Sequence, residues 1–182
     1  MPVGVERPQM RSRHRAPHAS LSGMTTTSPV EVGQPVPDLT LNDDQGTPIS
    51  LRDLAGKRVV LYFYPKDDTS GCTTQACAIR DSWSEFSGVD DLVIYGVSPD
   101  SAASHVKFRT KHDLPFHLLV DEEHRLADEF GFWVEKSMYG RKYWGIERST
   151  VVVGADGTIT AVARKVKPAE HVAWLRGELG MD

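Results

Sequence analysis

Two cysteines, Cys72 and Cys77, stand five residues apart in the run Tyr64-Pro65-Lys66-Asp67-Asp68-Thr69-Ser70-Gly71-Cys72-Thr73-Thr74-Gln75-Ala76-Cys77, and the chain has no others. The text before Cys72 reads as a strand and a tight loop, and the text after it as a helix. A helix start stabilises a nearby anion. Cys72 is therefore a candidate thiolate nucleophile. A free thiol ionises near ~8.5, so only a few per cent is anionic at neutral pH, and a nucleophile needs that value lowered. The helix dipole supplies roughly 0.3–1 kcal/mol, which falls short of one pKa unit at about 1.36 kcal/mol. Backbone N–H groups and a cation close to the sulfur must supply the rest.

Cys77 poses a geometric question. Five residues of helix rise roughly 7.5 Å, put the two Cα atoms about 8–9 Å apart and turn the sulfurs ~140° away from each other. A disulfide needs Cα atoms within roughly 7 Å. A Cys72–Cys77 bond thus requires the first helical turns to unwind. Gly71, Thr73 and Thr74 are weak helix formers, so melting there is cheap. The alternative for Cys77 is simple packing beside the core.

The surrounding elements follow from periodicity and turn chemistry. Asp38-Leu39-Thr40-Leu41 and Ile49-Ser50-Leu51 flank Asn42-Asp43-Asp44-Gln45-Gly46 as a hairpin. Arg58 to Tyr64 is a near-continuous apolar and β-branched run, the signature of a strand buried on both faces, and Pro65 ends it. Cys72, Ala76, Ile79, Trp83 and Phe86 form one apolar helical face, with Thr69 and Ser70 as N-cap residues. Strands are expected at Leu92–Val97 and Phe116–Val120. A helix from near Ser101 carries Val106 and Phe108, and a short one spans Glu122 to Phe130. Ser149–Val153 and Thr158–Val162 flank the turn Gly154-Ala155-Asp156-Gly157, and Pro168 opens a last helix with Val172, Trp174, Leu175 and Leu179.

This order, β-α-β-α-β, then a hairpin and a closing helix, predicts an α/β fold. Its mixed central sheet is covered by helices on both faces and preceded by an N-terminal β-hairpin. A βαβ unit followed by ββα, with a cysteine opening the first helix, is the thioredoxin-like arrangement. In such a sheet the strand Thr150–Val153 lies beside the one ending at Tyr64. Arg148, just before it, is then the cation best placed for Cys72, though the residue alone reads equally as a surface arginine. Arg80, roughly 12 Å of helical rise further on, is a poor candidate.

The run Pro65-Lys66-Asp67-Asp68-Thr69-Ser70-Gly71-Cys72 holds the Pro-x-x-x-Thr-x-x-Cys signature of peroxiredoxins. With Cys77 five residues on, it closely resembles the bacterioferritin comigratory protein, or peroxiredoxin Q, subfamily. The likeness runs from about Val36 to Leu179. It includes Gly96-Val97-Ser98-Pro99-Asp100-Ser101, Tyr139 to Thr150, and His171. The resemblance implies a thiol peroxidase. Cys72 would be the peroxidatic cysteine, oxidised by hydrogen peroxide or an organic hydroperoxide to a sulfenic acid. Thr69 would hydrogen-bond thiolate and peroxide, Pro65 would shield the site from water, and Arg148 would hold the thiolate and polarise the peroxide. Cys77 would resolve the sulfenic acid as an intramolecular disulfide, reduced in turn by thioredoxin. A monomer without metal, haem or flavin is implied. The chain departs from the pattern in carrying Ser70 where many relatives have Pro, and Val151-Val152-Val153-Gly154 for a more usual Phe-Leu-Ile-Asp.

Composition sets the bounds. The 182 residues suit one domain with a full core, and 40% hydrophobic with 25% charged residues is globular. A net charge of −4 offers no basic face for nucleic acid, and no apolar run approaches the ~20 residues of a membrane helix. So few cysteines fit a cytoplasmic protein whose thiols do chemistry rather than a disulfide scaffold, and a lone pair is a poor zinc site. Residues 1–30 bear Arg7, Arg11, Arg13 and Arg15 without apolar periodicity. They read as a disordered extension before a domain over 31–182, with Met24 as an alternative first residue. Asp121-Glu122-Glu123-His124 reads as a helix cap with first-turn acids rather than a metal cluster, and the seven histidines read as surface residues. The tryptophans Trp83, Trp133, Trp144 and Trp174 read as core or site wall. Two rivals to the peroxidase are a redox-sensing module switched by its disulfide and a thiol–disulfide oxidoreductase. The latter usually spaces its cysteines by two residues.

Overall fold

The computed structural model describes residues 29–181. The expected extension over 1–30 lies outside the described residues except for Pro29 and Val30. Val30 is buried in the core and donates its N–H to the Phe130 carbonyl at 3.4 Å.

The central strand β3 (Arg58–Phe63) is flanked by β4 (Leu92–Ser98), parallel to it, and β8 (Ser149–Val153), antiparallel to it. Around these the sheet extends through β5 (Leu118–Val120), β9 (Ile159–Ala163) and the hairpin of β1 (Thr40–Asp43) with β2 (Pro48–Ser50). The order is β2-β1-β5-β4-β3-β8-β9. Two right-placed crossover helices explain the parallel pairs: α1 (Ser70–Asp81) lies between β3 and β4, and α3 (Ala102–His112) between β4 and β5.

Alternation along β3 builds both cores. Val59, Leu61 and Phe63 join one cluster with Leu119, Phe130 and Phe132, while Val60, Tyr62 and Tyr64 join the other with Ile79, Phe108 and Leu175. The second layer holds α1, the short α2 (Trp83–Phe86), α3 and α5 (His171–Leu179); α4 (Arg125–Glu129) packs on the first. The thioredoxin-like arrangement with helices on both faces is thus present, four helices to one. Cys72 belongs to the four-helix side.

Several expectations need correction. The helix after Cys72 does not run unbroken to Phe86: it ends at Asp81, and α2 restarts at Trp83 after Ser82. The last helix begins at His171, three residues after Pro168. The short helix starts at Arg125, so Glu122 and Glu123 precede it. Asp121 still serves its start, accepting from the Leu126 and Ala127 N–H groups at 3.3 and 3.0 Å. Val106 is exposed. A hairpin that periodicity did not show joins β6 (Trp133–Met138) to β7 (Arg141–Ile146) through Tyr139 and Gly140. Both have positive φ (50° and 76°), the geometry of a two-residue hairpin turn. On it Trp144 is 59% exposed, so this tryptophan is not core. His105 and His171 are fully buried, against the surface reading of the histidines.

One glycine is demanded by packing. A Cβ on Gly96 of β4 would lie 2.7 Å from Leu118 Cδ2 and 2.8 Å from both Cζ and Oη of Tyr62. All of these atoms belong to fully buried side chains. Gly96→Ala is therefore expected to cost about 1–3 kcal/mol of stability by overpacking, read as a lowered urea midpoint with unchanged m-value. An unchanged midpoint would show that the layer yields freely.

Candidate active site

Cys72 is the third residue of α1, where the backbone N–H groups of the first turn have no helical partners. Thr69 is the N-cap in an extended conformation (φ −86°, ψ 157°). Its hydroxyl does not cap the helix; it donates to the Lys66 carbonyl at 2.9 Å. Ser70 is already helical, and its carbonyl accepts from Thr74 Oγ1 at 3.0 Å. No acidic residue lies in the first turn to oppose a sulfur anion.

The loop from Pro65 to Thr69 is pinned at two points. The Asp67 carboxylate is buried and accepts from Tyr64 Oη at 2.6 Å, Ser104 Oγ at 2.8 Å and His105 Nδ1 at 2.8 Å. The Asp67 N–H donates to Asp100 Oδ2 at 2.8 Å. Asp68 takes the left-handed conformation (φ 57°) and pairs with Lys111 at 2.6 Å and His112 at 3.0 Å. The loop is thereby tied to α3, and Pro65 stands half-buried where β3 ends.

Arg148 meets Cys72 as the sheet expectation required. It precedes β8, whose pairing Phe63↔Ser149 and Tyr62↔Thr150 sets it beside the end of β3. Arg148 Nη2 lies 3.4 Å from Cys72 Sγ, and Nη1 donates to Gln75 Oε1 at 2.7 Å. Gly71 permits this approach, because a Cβ there would stand 3.0 Å from Nη2. Arg80 is elsewhere, donating to Asp81 and to the His112 carbonyl. Lys136 of β6 is near enough to interact with both Arg148 and Cys72; burial first, then the Arg148 charge, hold its amine below the usual lysine range.

Behind this pair lies a polar set whose linkage no sequence pattern showed, although His171 and Thr150 stood among the residues of the resemblance. Gln75, Thr150 and His171 are all fully buried. Gln75 Nε2 is 3.0 Å from His171 Nδ1, and His171 Nε2 is 2.9 Å from Thr150 Oγ1. Burial, with a smaller contribution from Arg148, pushes the imidazole of His171 down to about 3, so it is neutral at physiological pH. The signal for Gln75 was available: a polar residue three positions after Cys72 falls on the apolar helical face.

Cys72 is 2% exposed, and Cys77 is half-buried further along the same helix. Both are free thiols. The site can present one sulfur to a small electrophile, with a fixed cation beside it and a second thiol held away.

Comparison with known proteins agrees with this geometry. Residues 32–162 match the AhpC/TSA family. The chain is 52% identical over 144 residues to peroxiredoxin Bcp of Bacillus subtilis, covering 79% of this chain and 91% of that protein. It is 40% identical over 155 residues to peroxiredoxin Bcp of Escherichia coli, covering 82% and 97%. Among solved structures, the Xanthomonas campestris bacterioferritin comigratory protein, studied for alkyl peroxide reduction, superposes with a TM-score of 0.76 at 38% identity, over 84% of this chain and 96% of that one. A family match across most of the described fold, relatives of this identity and the sulfur–guanidinium pair converge: the chain belongs to the AhpC/TSA family, among its Bcp and peroxiredoxin Q members, and is a thiol peroxidase.

Proposed function

We propose that Cys72 is the peroxidatic cysteine, that Cys77 resolves it within the same chain, and that a thioredoxin-type dithiol completes the cycle. The observation that carries this reading is the guanidinium of Arg148 at 3.4 Å from Cys72 Sγ, at a helix start. The sulfur anion attacks the terminal oxygen of the peroxide. The O–O bond breaks, Cys72 becomes a sulfenic acid, and the leaving alkoxide or hydroxide takes a proton from solvent. Negative charge moves from sulfur onto oxygen, so a fixed cation reaching both stabilises the transition state. Because the Thr69 hydroxyl hydrogen is engaged by the Lys66 carbonyl, its oxygen is left to accept the peroxide O–H. Pro65 contributes apolar cover and no N–H.

In the second step the Cys77 sulfur attacks Cys72, the S–O bond breaks and water leaves. The first turns of α1 must open for this, as the ~8–9 Å Cα separation of the intact helix exceeds disulfide reach. An external dithiol then exchanges with the disulfide and carries it away. Both cysteines lie on one helix, so a monomer suffices. A reducing compartment such as the cytoplasm suits a cycle that must return to free thiols. No helix among the described residues is long and apolar enough to cross a membrane.

The test is the intact mass after one equivalent of peroxide. A product lighter by two hydrogens, with a tryptic peptide linking Cys72 to Cys77, is expected. A persistent gain of one oxygen, or a disulfide between two chains, would overturn resolution by Cys77 within the same chain.

A further inference from the structure

We propose that His171 is a positioning residue for the peroxidase reaction: through Gln75 it holds the Arg148 guanidinium on the Cys72 sulfur. This rests on the assignment of Cys72 and Arg148 above. The five side chains come from three places in the fold, Cys72 and Gln75 from α1, Arg148 and Thr150 from the start of β8, and His171 from the first position of α5.

The direction of every hydrogen bond in this set follows from its first member. Arginine has donors only. The Gln75 atom 2.7 Å from Arg148 must therefore be the amide oxygen, which turns the amide nitrogen toward His171. That nitrogen only donates, so His171 Nδ1 must be bare. The ring proton then sits on Nε2 and is given to Thr150 Oγ1 at 2.9 Å. A single neutral tautomer satisfies the set. A proton on Nδ1 would face the Gln75 amide nitrogen and turn the amide over, presenting donor to donor at Arg148.

The surroundings favour that tautomer. His171 is fully buried and faces Tyr62 from β3, with ring centroids 5.8 Å apart, and Arg148 just before β8. The hollow beside it, about 190 Å³, is lined by Arg164, Lys165, Lys167 and Glu170. Burial and the nearby cation both disfavour the imidazolium. Without the His171 acceptor, the Gln75 amide nitrogen is buried and unpaired. The amide is then free to turn, and Arg148 loses the oxygen that fixes its fork.

The second-order rate of Cys72 oxidation by hydrogen peroxide, followed by stopped flow on the full chain, tests this. His171→Ala is expected to slow it ~10- to 100-fold. His171→Asn, whose side-chain oxygen can accept from Gln75 in place of Nδ1, should restore most of the rate. On the unmodified protein, long-range ¹H–¹⁵N spectra should show the neutral Nε2-protonated ring between about pH 5 and 8. Equal slowing in both variants, an unchanged His171→Ala rate, or an Nδ1-protonated or cationic ring at neutral pH would overturn the proposal. Arg148→Ala separates the two levels. If that variant reacts at the wild-type rate, it is the assignment of Arg148 itself that fails.

Discussion

Cys72→Ser is expected to abolish peroxide turnover, with a loss of more than ~10³-fold in a coupled assay with thioredoxin, its reductase and NADPH. The reason is chemical rather than steric. Serine fills nearly the same volume in the buried cluster that Cys72 shares with Tyr62 and Ala76, so the fold should persist. Its hydroxyl stays protonated at neutral pH and lacks the polarisable lone pairs with which sulfur attacks a weak O–O bond. The Arg148 guanidinium, 3.4 Å from the sulfur, would face a neutral oxygen with no anion to hold. Circular dichroism like the wild type with no peroxide consumption is the predicted pairing. Consumption at the wild-type rate would move the chemistry to another residue.

Cys77→Ala should separate the two halves of the cycle. Cys77 is a half-buried free thiol on α1. Its loss should therefore cost little stability, within about 1 kcal/mol. Cys72 and Arg148 are untouched, so one equivalent of peroxide is expected to be consumed in a burst. Thioredoxin-coupled turnover should then cease, because the sulfenic acid has no partner thiol in the chain. Excess peroxide should drive that stalled sulfur to the sulfinic acid, a gain of two oxygens visible by mass. Undiminished coupled turnover would show that Cys77 only packs, and that an outside thiol attacks Cys72 directly.

The unwinding this cycle requires has a structural counterpart in how α1 is held. Its N-terminal approach is anchored by Asp67 and Asp68 to α3, while Arg80 near its other end donates to the His112 carbonyl. Between those anchors lie Gly71, Thr73 and Thr74, weak helix formers, and opening there must also break the Thr74 Oγ1 bond to the Ser70 carbonyl and the contacts that Arg148 makes with Cys72 and Gln75. The weakest helix formers of α1 thus lie in and just before the turns that separate the two cysteines.

Strong local patterns were legible. The run Arg58–Tyr64 read as a strand buried on both faces, and β3 spans Arg58–Phe63 of it with Val59 to Phe63 buried. The expected neighbour relation of β8 and β3, and with it the meeting of Arg148 and Cys72, followed from topology and is present. Weak local patterns were not. The segment Trp133–Ile146 mixes Glu135, Lys136, Arg141 and Lys142 with aromatics on both faces, because much of that hairpin stands in solvent and buries no continuous stripe. Its turn at Tyr139-Gly140 also lacks the usual Asn-Gly or Asp-Gly signal. The buried histidines were misread for a related reason. Histidine is compatible with either side of the surface, and His171 is inside only because Gln75 and Thr150 satisfy both ring nitrogens there.

By itself the amino-acid order settled which sulfur opens a helix, the loop that leads into it and the layers that carry both. These are short-range consequences of side-chain periodicity, proline and glycine. What surrounds that sulfur was decided only by folding. Arg148 lies 76 positions from Cys72, and His171 lies 96 from Gln75. Contacts of that span depend on how the sheet and three separate elements close on one another, a geometry to which no local pattern of residues responds.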